Sequence, residues 1–321
     1  MVNIHSANAV SPSVVKVQPR HLQTDLDLTS GELISLLDQT AQVKRTPRRF
    51  AHKLTGRYLA LLFEKPSLRT RMTFELAIKQ LGGDSVFTEY NGRRIHDREP
   101  IQDVARNLER WVHGIVARVY QQTTIEELAR WSAIPVINAL SDRYHPCQAL
   151  ADFFTLQERF GALQGLKLAF VGDGNNVSHS LLLCAARLGV DMTVCTPADY
   201  QPDAAIVATA RELAAATGAS IGLCSDPLEA VEGAHAIYTD VWASMGQEKE
   251  AKQRRRIFSP YQVTRQILGV ARSDAVFMHC LPAHRGEEVT DEVMESPASI
   301  VFDQAENRLH AQKALLLMML P

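Results

Sequence analysis

The stretch Tyr58–Arg71, YLALLFEKPSLRTR, decides how the chain is read. Its first six residues, Tyr58–Phe63, form an apolar run short enough for a buried strand, and Pro66-Ser67 break it. A helical pattern follows, with Phe74, Ile78 and Leu81 on one face and Gly82-Gly83 as its stop. Strand, turn and helix in this order place a helix N-terminus, with free N–H groups and the positive dipole end, at the carboxyl end of a strand. Ser67 and Thr70 add hydroxyls, and Arg69 can grip a phosphate through two parallel hydrogen bonds. Arg71 faces a different way on the helix, so one of the two arginines meets the anion. The plainer alternative is an N-cap at Ser67 with both arginines solvated.

Outward from this stretch the same alternation recurs. Leu26–Val43 reads as a helix, Thr88–Glu99 as a polar mobile loop, Ile101–Val112 as a helix, and Ile115–Tyr120 and Pro135–Ile137 as strands. His145–Phe160 is a longer helix ending at Gly161. Beyond it, strands at Leu168–Val171, Met192–Cys195, Ile221–Cys224, Ala236–Thr239, Ala275–His279 and Ile300–Phe302 alternate with helices at Ser178–Leu188 and Ala204–Ala216. Gln304–Leu320 closes the chain as a helix. The expected fold is α/β: two domains, each a mainly parallel sheet flanked by helices, meeting near residue 150 around a cleft.

Composition bounds the function. The 321 residues are 46% hydrophobic and 22% charged, which fits a chain with a large core and excludes disorder over most of the length. The net charge of −2 favours neither nucleic acid nor an anionic membrane, so any anion site depends on local arginines. Five cysteines without a CxxC pair suggest neither a disulfide framework nor a zinc knuckle, and fit a reducing, cytoplasmic location. No apolar run is long enough to cross a membrane. Residues 1–24 hold no acid; a loose tail over 1–20 is expected rather than a transit peptide, because Pro12 and Pro19 would interrupt an amphipathic helix.

Four further segments carry chemistry. His145 and Gln148 are three apart on a first helical turn and share a face, where an imidazole and an amide suit polarising a carbonyl; a helix-capping histidine is the plainer reading. Gly172-Asp173-Gly174-Asn175-Asn176 sits where a dinucleotide fingerprint would, but Val177 replaces its third glycine and no acid follows the next strand. The turn instead delivers an Asn into the cleft. Asp240–Gly246 and His279–Ala283 each follow a strand, at the edge where open α/β sheets bind ligands. Asp240 suits a cationic group. Cys280 invites a nucleophile hypothesis, but His279 points the other way along a strand, which favours a non-covalent thiol. Lys249–Arg256 reads as a solvated basic face.

Taken together, these segments resemble the aspartate/ornithine carbamoyltransferase family, from about His21 to the C-terminus. The likeness rests on Phe63–Arg71, His145–Gln148, Gly172–Asn176, Asp240–Gly246, His279–Pro282 and Ala305–Arg308. It implies a carbamoyl-phosphate domain over 21–150, an ornithine domain over 151–303, and a helix over 304–321 returning to the first. It implies a carbamoyl-phosphate site on Ser67, Leu68, Arg69, Thr70, Arg118, His145, Gln148, Cys280, Leu281 and Arg308. Arg69, Arg118, His145 and Cys280 would be its catalytic members. The acceptor site falls on Asn176, Asp240, Ser244 and Met245, and the Ser-Met-Gly loop points to ornithine rather than aspartate. The resemblance further implies homotrimers or assemblies of trimers, with Arg94 on a loop entering a neighbour's site, and no metal or organic cofactor.

Two departures stand out. Leu68 replaces a threonine common in ornithine enzymes, and Arg94 falls at the place of a usual Gln. They leave open an N-acylornithine or putrescine acceptor, or a catalytically silent relative. The chemistry expected of the leading reading is attack of the ornithine δ-amine on the carbamoyl carbon, with phosphate leaving and citrulline as product.

Overall fold

The computed structural model describes residues 20–243 and 250–320. The first half runs α1 (Ser30–Arg45), β1 (Tyr58–Phe63), α2 (Leu68–Gln80), β2 (Asp84–Glu89), α3 (Ile101–Leu108), β3 (Gly114–Arg118), α4 (Gln122–Trp131), β4 (Val136–Leu140) and α5 (Pro146–Phe160). The second runs β5 (Lys167–Val171), α6 (Asn176–Leu188), β6 (Asp191–Cys195), α7 (Ala204–Ala214), β7 (Ile221–Cys224), α8 (Pro227–Val231) and β8 (Ala236–Thr239). It ends with α9 (Ala251–Phe258), α10 (Arg265–Val270), β9 (Val276–His279), α11 (Asp291–Met294) and α12 (Val301–Met319). The strands form two sheets in the orders β2-β1-β3-β4 and β7-β6-β5-β8-β9. Every pairing is parallel, as the alternation demands, so the fold is α/β with two domains.

The inner strands are apolar on both faces because helices cover both. In β1 every residue after Tyr58 is buried. One core cluster spans the two halves: Leu61 and Phe63 of β1, Phe153 and Phe154 of α5, Phe170 of β5 and Leu315 and Leu316 of α12 belong to it. The outer faces of the two sheets have separate cores. Helix α12 packs on α1, α2 and α5, so the last helix returns to the first half.

Three sequence expectations change. Ile300–Phe302 is not a strand: Ser299 makes one isolated bridge to Phe277, and α12 already begins at Val301. The segment Thr88–Glu99 is not a free loop, since Thr88 and Glu89 end the edge strand β2. Its later part is pinned by Glu64 Oε1, which accepts from Ile95 N at 2.7 Å. The basic run is not wholly solvated, because Arg254 is buried. The tail expected over 1–20 lies, up to residue 19, outside the described residues. Among the described residues no helix is long and apolar enough to cross a membrane.

Candidate active site

Both sheets turn their carboxyl ends toward one cleft of about 870 Å³. It opens where strand order reverses, beside β1 and β3 in the first sheet and β5 and β8 in the second. Of the residues singled out by sequence, Ser67, Leu68, Arg69, Arg94, Arg118, His145, Asn176, Asp240, Cys280, Leu281 and Arg308 line it. Thr70 and Gln148 are buried directly behind the wall. Ser244 and Met245 lie outside the described residues.

The first wall is cationic. Ser67 caps α2, its Oγ accepting from Thr70 N at 3.2 Å, and the N–H groups of Leu68 and Arg69 have no carbonyl within the helix to bond. The Leu68 side chain itself is 73% exposed, so this position contributes backbone. Arg118 ends β3 in register with Phe63 of β1, which brings it beside the α2 turn. Arg308 comes from α12 and donates from Nη2 to Thr70 Oγ1 at 2.8 Å, leaving the Thr70 hydroxyl hydrogen free to donate elsewhere. Arg71 turns away, stacking on Phe87 at 3.7 Å and pairing with Glu75 at 2.8 Å, so Arg69 alone of the two faces the cleft.

Among the described residues, none of Arg69, Arg118 and Arg308 forms an ion pair, and Nε of both Arg118 and Arg308 is buried without a partner. Burial, then Arg308 and Arg69, pushes Arg118 down to about 9, still charged at neutral pH. Burial and the same three arginines hold His145 well below the usual imidazole range, so its ring is neutral. Its Nδ1 is buried and unpartnered, as is Gln148 Oε1. His145 does not cap α5 with its side chain; its backbone N–H donates to Ser180 Oγ at 2.8 Å, and Ser180 Oγ donates to buried Asp25 at 2.5 Å.

The second wall is acidic and internally paired. Asp240, one residue past β8, accepts from Asn175 Nδ2 at 2.8 Å and from Cys280 Sγ at 3.0 Å. Burial first, then the Asp240 carboxylate, raises the Cys280 thiol well above its ordinary value. Asn175 also caps α6, accepting from Val177 N and Ser178 N, and Asn176 Nδ2 donates to Ser141 O at 2.7 Å. The turn that carries them requires glycine at Gly174, where a Cβ would fall 2.3 Å from Pro202 N. Asp173 pairs with Arg254 at 2.9 Å, and Arg254 also donates to Trp242 O. This is the physical reason that one arginine of the basic run is buried.

The His279–Pro282 turn closes the wall. Leu281 N donates to His279 Nδ1 at 2.8 Å, which puts the ring proton on Nε2, facing Glu288 Oε1 at 3.2 Å. His279 is therefore not free to act as a base toward Cys280. Although Asp240, His279 and Cys280 have donor atoms within 4.8 Å of one another, both His279 nitrogens are already engaged, which does not suit a metal ligand. Leu281 adopts φ 58°, a strained value for a non-glycine residue.

Sequence reasoning passed over Glu64, Asn175 and Arg254. Glu64 is buried and accepts from Ile95 N and Tyr120 N, binding the Arg94 segment to the end of β1. Arg94 lies over the Tyr120 ring at 5.7 Å and lines its own chain's cleft. A lone acid directly after an apolar strand was the one available signal for Glu64.

Comparison with known proteins agrees with this geometry. Residues 20–158 match the family model described as the aspartate/ornithine carbamoyltransferase carbamoyl-P binding domain, and residues 164–319 match its Asp/Orn binding domain. The chain is 50% identical over 306 residues to an ornithine carbamoyltransferase of Thermococcus kodakarensis, covering 94% of this chain and 97% of that one. It is 49% identical over 306 residues to an ornithine carbamoyltransferase of Pyrococcus furiosus named anabolic, covering 94% and 97%. The solved ornithine carbamoyltransferase structure from Pyrococcus furiosus superposes with a TM-score of 0.91 at 48% identity, covering 96% of this chain and 99% of that one.

Proposed function

The chain belongs to the aspartate/ornithine carbamoyltransferase family, and on that premise we propose how its cleft divides the work. It transfers the carbamoyl group of carbamoyl phosphate to the δ-amine of L-ornithine, giving L-citrulline and phosphate. The observation that carries the assignment of roles is the convergence of Arg69, Arg118 and Arg308 on one cleft without carboxylate partners among the described residues. A phosphate dianion would relieve their mutual repulsion.

Phosphate sits at the α2 N-terminus, held by Ser67, the N–H groups of Leu68 and Arg69, and the Arg69 and Arg118 guanidinium groups. The carbamoyl oxygen faces Thr70, Arg118 and neutral His145; one such donor to a developing oxyanion is typically worth about 3–4 kcal/mol. Gln148, Cys280 and Leu281 surround the rest of the carbamoyl group. The second wall takes the acceptor: Asn176 and Asp240 hold ornithine, with Asp240 near an amino group, and Ser244 and Met245 complete the site. The nucleophile must be a neutral amine, and deprotonating an alkylamine with a pKa near 10.4 costs roughly 4–5 kcal/mol at pH 7. The arginine cluster lowers that cost by disfavouring a second cation. The amine lone pair forms the new C–N bond, the C–O bond to phosphate breaks, and the leaving phosphate accepts the proton.

The assignment is tested by citrulline formation at near-neutral to alkaline pH, with putrescine and N-acetylornithine as alternative acceptors. Turnover of a control and not of ornithine would overturn the acceptor. Absent turnover together with no rise in melting temperature on adding carbamoyl phosphate would favour a silent relative.

We read residues 21–150 and 151–303 as the two substrate domains and 304–321 as the helix joining them; the packing of α12 on α1, α2 and α5 supports this. A homotrimer, or an assembly of trimers, fits an apolar stripe on α2, where Leu68, Met72 and Leu76 are 73%, 45% and 39% exposed at four-residue steps. The Arg94 segment would then contribute across a subunit boundary. The five free cysteines support a cytoplasmic enzyme, and the likeness to a relative named anabolic supports a place in arginine biosynthesis.

A further inference from the structure

Behind the His145 turn lies a buried polar hub that the catalytic roles above leave unused. Asp152 follows Gln148 by one turn on α5 and is 1% exposed. Its Oδ1 accepts from Gln148 Nε2 at 2.8 Å and from Gln304 Nε2 at 2.7 Å, and its Oδ2 accepts from the Tyr238 hydroxyl at 3.1 Å. Three elements therefore meet on one carboxyl: α5, β8 just before Asp240, and α12 one turn before Arg308.

The donor and acceptor identities leave little freedom. Gln304 Oε1 is committed to His279 N at 2.9 Å, so the Gln304 amide can face Asp152 only with its NH₂. Burial pushes Asp152 up to about 7, but its Oδ1 already accepts from two amide NH₂ groups, so a proton on Asp152 belongs on Oδ2 beside Tyr238, and Gln148 presents its NH₂ to Oδ1 in either form. The Gln148 carbonyl oxygen is then left unbonded to Asp152, on the same helical turn as His145, which lines the cleft. That oxygen, Oε1, is buried and has no partner among the described residues. The carbamoyl group has one acceptor oxygen and two N–H donors. The first wall is rich in donors for the oxygen, whereas Gln148 Oε1 is a buried acceptor in want of a donor.

We propose that Asp152 is a positioning residue that fixes the Gln148 amide with its oxygen toward the carbamoyl NH₂, and so sets the preference for carbamoyl phosphate over an acyl phosphate bearing a methyl group. The proposal rests on the placement of carbamoyl phosphate against Gln148, and its test separates the two. Acetyl phosphate replaces the NH₂ by CH₃, and inorganic phosphate lacks the group altogether. In the full-length enzyme, the discriminating quantity is the KM for carbamoyl phosphate against the inhibition constants of acetyl phosphate and inorganic phosphate.

Asp152→Leu removes both acceptor oxygens while keeping the branched outline of the side chain. The expected result is a roughly ten- to hundredfold loss of affinity for carbamoyl phosphate, with acetyl phosphate and inorganic phosphate affected less than about threefold. Asp152→Asn keeps one acceptor oxygen and the same outline and should rescue most of the preference, which a requirement for charge would not produce. Asp152→Ala, which adds no bulk, carries the same expectation should the Leu variant not fold. Preference retained in the Leu or Ala variant overturns the proposal. So does an equal loss for all three ligands, or a loss in the Asn variant as large as in the others. Gln148→Met reports on the underlying placement: if it leaves the preference intact, Gln148 does not meet the carbamoyl group and the site assignment itself fails.

Discussion

The two walls of the cleft solve their charge problems in opposite ways. On the first, Arg69, Arg118 and Arg308 stand with no ion pair among the described residues, and buried polar atoms of Arg118, Arg308, His145 and Gln148 lack partners. On the second, carboxylates are already served: Asp240 by Asn175 and Cys280, Asp173 by Arg254. The first wall is thus a preorganised positive field that awaits an anion. The second is an acidic surface whose hydrogen bonds must be exchanged when an amine arrives, with Asp173 ion-paired and Asp240 held by neutral donors. Unpaired cations on one side and a hydrogen-bonded acid on the other suit an anionic and an amine substrate respectively.

Removing a member of the unpaired wall should break the contrast most visibly. Arg69→Ala is expected to lower kcat/KM by about a thousandfold, the upper range for one electrostatic donor. It should leave the melting temperature unchanged or raised, because a half-buried cation without a partner contributes repulsion rather than stability. The same variant should lose the rise in melting temperature that inorganic phosphate gives the parent enzyme. Near-parental activity would remove Arg69 from the site.

The scaffold behind that wall gives the next largest effect. Burial pushes Asp25 up to about 6, against the hydrogen bonds from Ser180 and Cys184 that favour its ionised form. A carboxyl raised in the folded state binds its proton more tightly than in the unfolded chain. Its contribution to stability is therefore full below about pH 4 and is lost as pH rises through about 6. Asp25→Asn retains an acceptor for Ser180 and removes the titration. The variant should gain on the parent enzyme between pH 4 and 7 by on the order of 3 kcal/mol, read from paired denaturant titrations. A difference independent of pH would show that Asp25 does not change protonation in that range.

On the paired wall, Asp240→Asn should cost roughly a hundredfold in kcat/KM for ornithine while changing the carbamoyl phosphate KM by less than about tenfold, since Asp240 reaches the carbamoyl side only through the Cys280 thiol and at a distance. Equal damage to both substrates would erase the distinction between the walls.

How much of this was legible in the sequence follows the same division. Strands buried on both faces, such as Tyr58–Phe63 and Lys167–Val171, announce themselves as apolar runs, and Pro66-Ser67 and Gly172–Asn176 mark the turns that carry the site. The edge strand Asp84–Glu89 does not, because four of its six residues are polar and none is buried. Val301-Phe302 mimics a strand but is the first turn of a helix, and two apolar residues carry no period that could tell these apart. At the site, residues within compact motifs were singled out, and Ser67, Arg69, His145, Asn176 and Asp240 among them line one cleft. Those whose role depends on a distant partner were not: Arg254 needs Asp173, Glu64 needs the Arg94 and Tyr120 segments, and Asp152 needs Tyr238 and Gln304. Such pairings arise from the fold, and local spacing does not encode them.

Cys280 sits where the two walls meet and should give the smallest effect. Its thiol donates to Asp240, and burial together with Asp240 and Asp152 outweighs the attraction that Arg308, Arg69 and Arg118 exert on a thiolate. A thiol held in its protonated form at neutral pH is a poor nucleophile, because the thiolate is the attacking species. In the structure it pairs with Asp240, and under the proposed roles it shapes the wall beside the carbamoyl group. Cys280→Ser keeps a donor in the same place and should retain activity within about tenfold, with the larger change in the ornithine KM because Asp240 is the group it touches. Loss of all turnover with both substrates still bound would instead require a covalent role, and would mean that substrate binding inverts the electrostatics found in the unliganded cleft.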